Sequence, residues 1–117
     1  MDAPLRIEVV PGITAIQALT AAHGIALNRI GEPVLITTGR QLGPLQTDAV
    51  VMLDGQLAFL DADPELEIFW GAYLGTADQL LVSGRLGDVT EEIVATRQRA
   101  RERHGWIMDT YLLRHRT

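Results

Sequence analysis

The sequence predicts an α/β domain, a two-layer arrangement of a mixed sheet with helices packed against it. Three observations lead there. Short runs of β-branched and apolar residues recur between helix-favouring stretches along the 117 residues. One such run, in Val9-Val10-Pro11-Gly12-Ile13-Thr14-Ala15, passes through Pro-Gly straight into an alanine-rich segment. A late segment is acidic at its start and arginine-rich at its end, as a helix in register with its own dipole should be.

Taken in order, residues 6–10 read as a first strand that Pro11 stops by fixing φ. Gly12 then allows close approach of the backbone, and Thr14 offers a hydroxyl in the first helical turn. Such a hinge is ordinary architecture in α/β proteins, and it is also a place to hold a small molecule. A helix over 13–23 buries Ile16, Leu19 and Thr20 and stops at Gly24. Strands follow over 33–37 and 49–53, the second apolar without a break and so expected to be covered on both faces. Asp54-Gly55 is a turn pair, and 61–65 an acidic loop. Strands over 66–74 and 80–86 precede a helix opened by Asp88, with Glu91 as its capping-box partner, and closed by Gly105. Arg97, Arg99, Arg101 and Arg103 read as its solvated face, and residues 106–113 supply the last strand. No internal repeat, linker or low-complexity stretch is seen.

A chain of this length fits one domain, on a prior of roughly 100 to 200 residues per domain, and its 47% hydrophobic content suffices for one core. The net charge of −5 argues against general nucleic-acid binding, which needs clustered positive charge. All ten basic side chains are arginine. Biased base composition of the gene explains this, as does a substrate ringed with carboxylates that guanidinium groups grip in pairs. Cysteine is absent, excluding disulfides and thiolate metal sites. No apolar run is long enough to span a bilayer and no basic-then-apolar leader is seen, so the expectation is a soluble, cytoplasmic protein. His23, His104 and His115 lack the spacing of metal ligands. The first two lie at predicted helix C-termini, where a cationic imidazole is favoured.

Four segments carry a more specific signal: the hinge; Leu27-Asn28-Arg29-Ile30-Gly31-Glu32-Pro33, running on to Thr38-Gly39-Arg40; Trp70-Gly71-Ala72-Tyr73-Leu74-Gly75-Thr76; and Trp106-Ile107-Met108-Asp109-Thr110-Tyr111. Together they make the chain resemble the C-terminal half of the tetrapyrrole (corrin/porphyrin) methylase family. The Pro-Gly-Ile-Thr-Ala element is shared across that family. The Asn-Arg-Ile-Gly-Glu-Pro and Trp-Ile-Met-Asp-Thr-Tyr stretches resemble the one branch that acts on precorrin-5 in cobalamin (vitamin B12) biosynthesis. The resemblance runs from about Ile7 to Arg114. It implies that residues 1–117 form a C-terminal domain and that an N-terminal domain, with the family's glycine-rich loop and Gly-Asp-Pro segment, is missing from this chain.

The resemblance also implies a cofactor, S-adenosylmethionine, folded in the cleft between two domains and held mainly by main-chain groups and apolar side chains. By position, Thr14 and Ala15 correspond to the hinge that touches it, and Met52 and Leu53 to the segment lining the adenosine. Tyr73, Leu74, Gly75 and Thr76 correspond to a nearby loop, and Asp109, Thr110 and Tyr111 to the last strand's contribution. Arg29 and Arg40 flank the branch-like segment and are candidates for substrate carboxylates. Methyl transfer needs alignment of nucleophile, methyl carbon and sulfur, and no metal. Release of the acetyl group as acetate needs water at a carbonyl, for which Glu32, Asp54, Asp109 and Tyr73 are the candidate assistants.

Family members form homodimers, so the resemblance implies a dimer as well. A chain carrying half a cleft is expected to be inactive alone, and a trimmed chain, a misassigned gene start and a naturally split protein all fit that reading. Two other functions stay open: a sister methylase acting on another precorrin, uroporphyrinogen or diphthine, and a non-catalytic interaction domain with Trp70, Tyr73 and Tyr111 at its surface.

Overall fold

The computed structural model describes residues 11–26, 34–38, 48–52 and 57–115, with 11–15 as backbone only. The elements are α1 (Pro11–His23), β1 (Val34–Thr38), β2 (Asp48–Met52), a 3-10 turn (Ala58–Asp61), β3 (Glu67–Ala72), β4 (Leu80–Arg85), α2 (Leu86–His104) and β5 (Asp109–Arg114). The strand expected over 6–10 and the Asp54-Gly55 turn lie outside the described residues, as do Arg29, Glu32, Arg40 and Leu53.

The five strands form one mixed sheet in the order β1-β2-β5-β3-β4. Only β1 and β2 run parallel; β5 is antiparallel to both β2 and β3, and β4 to β3. Register fixes two apolar rows. Val51, Tyr111, Trp70 and Val82 are successive neighbours across the sheet, and Val50, Leu112 and Phe69 form the next row. Because side chains alternate along a strand, these rows face opposite ways.

The first row belongs to a core closed by Leu86, Ile93 and Ala100 of α2, together with Phe59 of the 3-10 turn. The second meets Ile16 and Leu19 of α1. The expected α/β class with a mixed sheet and packed helices holds. The helices nevertheless cover both faces, giving three layers where the sequence suggested two. The cause is the unbroken apolar run of β2, whose Ala49, Val50 and Val51 are all fully buried and need cover above and below.

Expected helix α1 appears, with Ile16 and Leu19 buried and Thr20 half-buried, and ends at Gly24, whose φ of +70° suits glycine. Helix α2 begins two residues before Asp88, so the expected capping box does not form. Instead the amide of Leu86 donates to the Leu66 carbonyl at 2.7 Å, and that of Gly87 to the Pro64 carbonyl at 2.9 Å. The 62–66 loop thus satisfies main-chain donors that a capping side chain would otherwise serve. Asp88 accepts from Arg85 at 3.0 Å. At the other end Gly105 takes the left-handed conformation (φ 78°) and its amide donates to the Arg101 carbonyl, as expected of a helix stop.

Candidate functional site

Both parallel strands end at one edge of the sheet, and the register brings other chain segments to the same place. Thr38 pairs with Met52, Met52 with Thr110, and Thr110 with Gly71. One step further out Asp109 pairs with Ala72, which leads into Tyr73, Leu74, Gly75 and Thr76. In open α/β sheets the carboxyl ends of parallel strands are where ligands bind.

Helix α1 points its N-terminus the same way. Its Leu19 lies beside Gly71 near this edge, while His23 reaches the Trp70 carbonyl and Ala26 accepts from Arg114, both towards the opposite edge. The first turn of α1, which carries Thr14 and Ala15, is therefore at the end of the helix nearer this edge. Three of the anticipated segments, at Met52, at 73–76 and at 109–111, are brought to one edge by the register.

Within that edge the side chains divide between the two faces. Met52 and Leu74, both half-buried, belong to the α1 side. Gly71 makes room for Leu74: a Cβ there would meet Leu74 Cδ2 at 2.6 Å and Leu19 Cδ1 at 3.0 Å. Gly75, with φ +79°, has open space where its side chain would be. This side of the edge is apolar and relieved by two glycines.

The remaining anticipated residues spend their polar atoms on the fold. Thr110 Oγ1 donates to the Val51 carbonyl at 2.8 Å, locking β5 to β2. Thr76 Oγ1 donates to the Tyr73 carbonyl at 2.6 Å and accepts from the Asp78 amide, while the Gly75 amide donates to Gln79 Oε1. The 73–79 turn is thus internally braced. Tyr111 is buried and meets Phe59 edge-on at 5.3 Å.

Tyr73 is the least ordinary of them. It adopts φ +51°, a left-handed conformation that side chains other than glycine seldom take. Its amide donates to the Met108 carbonyl, and its hydroxyl to the Trp106 carbonyl at 2.6 Å. Burial, with the nearby Asp109 and Asp78 carboxylates, raises its pKa against a weaker opposing effect of Arg97. A phenol so held is a poor proton acceptor for water.

Asp109 faces the α2 side. Its Oδ2 accepts from Trp70 Nε1 at 2.9 Å and from Arg97 Nε at 3.1 Å, with only 8% of the side chain exposed. Arg97 is therefore not part of a solvated arginine face; Arg99, Arg101 and Arg103 are. It shares the buried stripe of Ile93 and Ala100, four residues before and three after, and that periodicity was the sequence signal for it.

Two further expectations are corrected. Trp70, Tyr73 and Tyr111 do not form a surface: each is at most 4% exposed, because the first and last lie in the central row beneath α2. His23 does not serve as a cationic cap. Its Nε2 donates to the Trp70 carbonyl at 3.0 Å while the ring meets Phe69 edge-on, and burial lowers its pKa more than the carbonyl raises it. His104 packs against Tyr73 at 4.7 Å between ring centroids. Among the described residues no helix is long and apolar enough to cross a membrane.

Comparison with known proteins places the chain in a family. The chain belongs to the Tetrapyrrole (Corrin/Porphyrin) Methylases, the family that residues 1–90 match. It is 55% identical over 112 residues to the precorrin-6A synthase [deacetylating] of a Sinorhizobium species, an alignment covering 92% of this chain and 43% of that protein. It also superposes, with a TM-score of 0.83 and 47% identity, on the crystal structure of a cobalamin synthesis related protein (CobF) from Corynebacterium diphtheriae, over 86% of this chain and 44% of that one. A uroporphyrin-III-C-methyltransferase from Thermus thermophilus shares the fold at 18% identity, with a TM-score of 0.50. The chain spans less than half the length of each of these relatives.

Proposed function

We propose that this chain supplies one wall of the cofactor cleft of an S-adenosylmethionine-dependent C-methyltransferase of cobalamin biosynthesis. At full length the enzyme would convert precorrin-5 to precorrin-6A with loss of acetate, in the cytoplasm and as a homodimer. Residues 1–117 correspond on this reading to its C-terminal domain, with an N-terminal domain closing the cleft. The observation that carries it is 55% identity to a precorrin-6A synthase across 92% of the chain.

The edge geometry supports the same reading. Bound there, the cofactor supplies a methyl carbon activated by a sulfonium leaving group. The chain's part is to fix its orientation. Met52 and Leu74 offer apolar surface, and the braced 73–79 turn and the paired start of β5 fix the backbone beside it. Thr14 and Ala15 would approach from the first turn of α1, and Leu53 from the residue after β2. Thr110, Thr76 and Tyr111 act through the backbone they hold in place, since the two threonine hydroxyls serve main-chain carbonyls and the Tyr111 ring is buried. Arg29 and Arg40 are proposed to meet substrate carboxylates. Tyr73 and Asp109 are engaged in structural hydrogen bonds, leaving Glu32 and Asp54 as the candidates for assisting water in acetate release.

The test is calorimetric titration of S-adenosylmethionine and S-adenosylhomocysteine into the chain, alone and with the N-terminal part of a relative supplied in trans. Binding that requires both parts is the expected result. Tight binding by the chain alone would overturn the shared cleft, and absence of binding in both states would overturn the cofactor assignment. Incubation of the full-length enzyme with precorrin-5 then decides the substrate: a product heavier by a methyl and lacking the acetyl group is expected.

A further inference from the structure

We propose that Arg97, on the opposite face of the sheet from Met52 and Leu74, is a positioning residue for the cofactor wall and acts through Asp109; this rests on the cofactor reading above. Asp109 is the first residue of β5, and the next residue, Thr110, pairs with both Met52 and Gly71. A single oxygen of Asp109 receives Trp70 Nε1 from β3 and Arg97 Nε from α2. That atom therefore joins a helix and two strands where the proposed wall begins.

The loop before it depends on the same anchor. Residues 105–108 run from the left-handed Gly105 to Asp109, and in between the Trp106 and Met108 carbonyls receive the hydroxyl and amide of Tyr73. The 73–79 turn thus hangs on a loop whose far end is Asp109, with one further bond from the Tyr73 hydroxyl to the Ala100 carbonyl of α2 at 3.3 Å. No other hydrogen bond among the described residues ties this turn to the α2–β5 loop.

The guanidinium is what keeps the carboxylate in place. The Asp109 side chain is 8% exposed and that of Arg97 11%, so each charge has lost most of its water. A carboxylate in that position without its cation is driven towards solvent. It would draw the start of β5 with it and release the Trp70 indole. Trp70 alone, a neutral donor, does not balance the charge.

The experiment compares Arg97→Met, Asp109→Asn and the double variant in the protein at its full encoded length. Two quantities are read: the dissociation constant for S-adenosylhomocysteine, and amide exchange of Tyr73 relative to Val50 in the cofactor-free protein. Arg97→Met is expected to weaken binding about tenfold, as a small displacement of a positioning group does. It should also speed Tyr73 exchange selectively, since local opening need not follow global unfolding. In the Asp109→Asn background the same substitution should change both by less than about twofold, the signature of two residues acting as one.

Equal effects in both backgrounds, or Tyr73 and Val50 exchange rising together, would overturn the proposal and leave Arg97 a general stabiliser. If the unaltered protein does not bind S-adenosylhomocysteine, the cofactor reading fails, and the exchange ratios alone decide whether Arg97 holds the edge. Should Arg97→Met not fold, Arg97→Gln, which removes the charge but keeps a polar donor, is read by the same criteria.

Discussion

Tyr73 and Trp106 meet twice: the tyrosine hydroxyl donates to the tryptophan carbonyl at 2.6 Å, and the two rings touch edge-on at 4.9 Å between centroids. This pairing holds the turn after β3 against the loop before β5. Its strength decides how firmly the site edge is preformed.

Tyr73→Phe keeps the ring contact and removes the hydroxyl. A net loss of about 1–2 kcal/mol is expected, because the Trp106 carbonyl and the buried Ala100 carbonyl both lose their hydroxyl donor. Urea unfolding measures the loss, and exchange at Thr76 should quicken more than exchange at Val50. An unchanged midpoint would mean that the ring contact alone fixes the loop.

Gly71→Ala probes the room left for Leu74. The new methyl would press on the ends of two flexible side chains, Leu74 and Leu19, rather than on backbone. Stability should therefore fall by no more than about 1–2 kcal/mol, the usual range for modest overpacking. Cofactor affinity should fall further than stability explains, because Leu74 is displaced towards the proposed adenosine side. Titration calorimetry on the full-length protein distinguishes this from an affinity that merely tracks the folded fraction.

Thr110→Val removes the buried hydrogen bond to the Val51 carbonyl while keeping the shape. A cost of about 1–2 kcal/mol is expected for leaving that carbonyl without its hydroxyl donor. Affinity for S-adenosylhomocysteine should stay within about twofold if Thr110 contributes only through its backbone. A large loss of affinity at unchanged stability would instead give the hydroxyl a direct contact.

His23 makes stability depend on pH. Burial lowers its folded pKa below the ordinary 6.5, so the unfolded chain binds the proton more readily. Stability should be level above 6.5 and decline as pH falls through that value towards the folded pKa. In His23→Gln, whose side-chain amide can still donate to the Trp70 carbonyl, this part of the slope should vanish. Urea midpoints measured between about pH 8 and about pH 5 check it; an identical slope in the variant would assign the dependence to other groups.

The sequence made the strands and helix stops legible where local chemistry alone governs them. Gly24 and Gly105 end helices because the left-handed turn favours glycine, and the apolar run at Ala49, Val50 and Val51 marks a strand covered on both faces. What it concealed depends on partners distant in the chain. The start of α2 is set by carbonyls of Pro64 and Leu66, some twenty residues earlier, so Asp88 was a misleading signal. Arg97 looked like its arginine neighbours because its partner Asp109 lies beyond the helix. Trp70 and Tyr111 looked available for contact because neither carries a local mark of its place in the central row. Of the candidate edge, the faces were not readable along the chain: that Met52 and Leu74 belong to the α1 side while Asp109 faces α2 follows only from register.

The position of β5 bears on how the molecule comes into being. In the sheet β2 and β3 do not touch; each is joined to the other only through β5, the last strand of the five to leave the ribosome. Until it emerges, the nascent chain holds two half-sheets whose inner edges await the strand between them. Completion of the fold is therefore a late, long-range event, of the kind that slows folding and exposes strands to aggregation. A chain released before Asp109 would carry a parallel pair, β1–β2, and an antiparallel pair, β3–β4, with no strand to join them, and demand on chaperones should last until β5 has emerged.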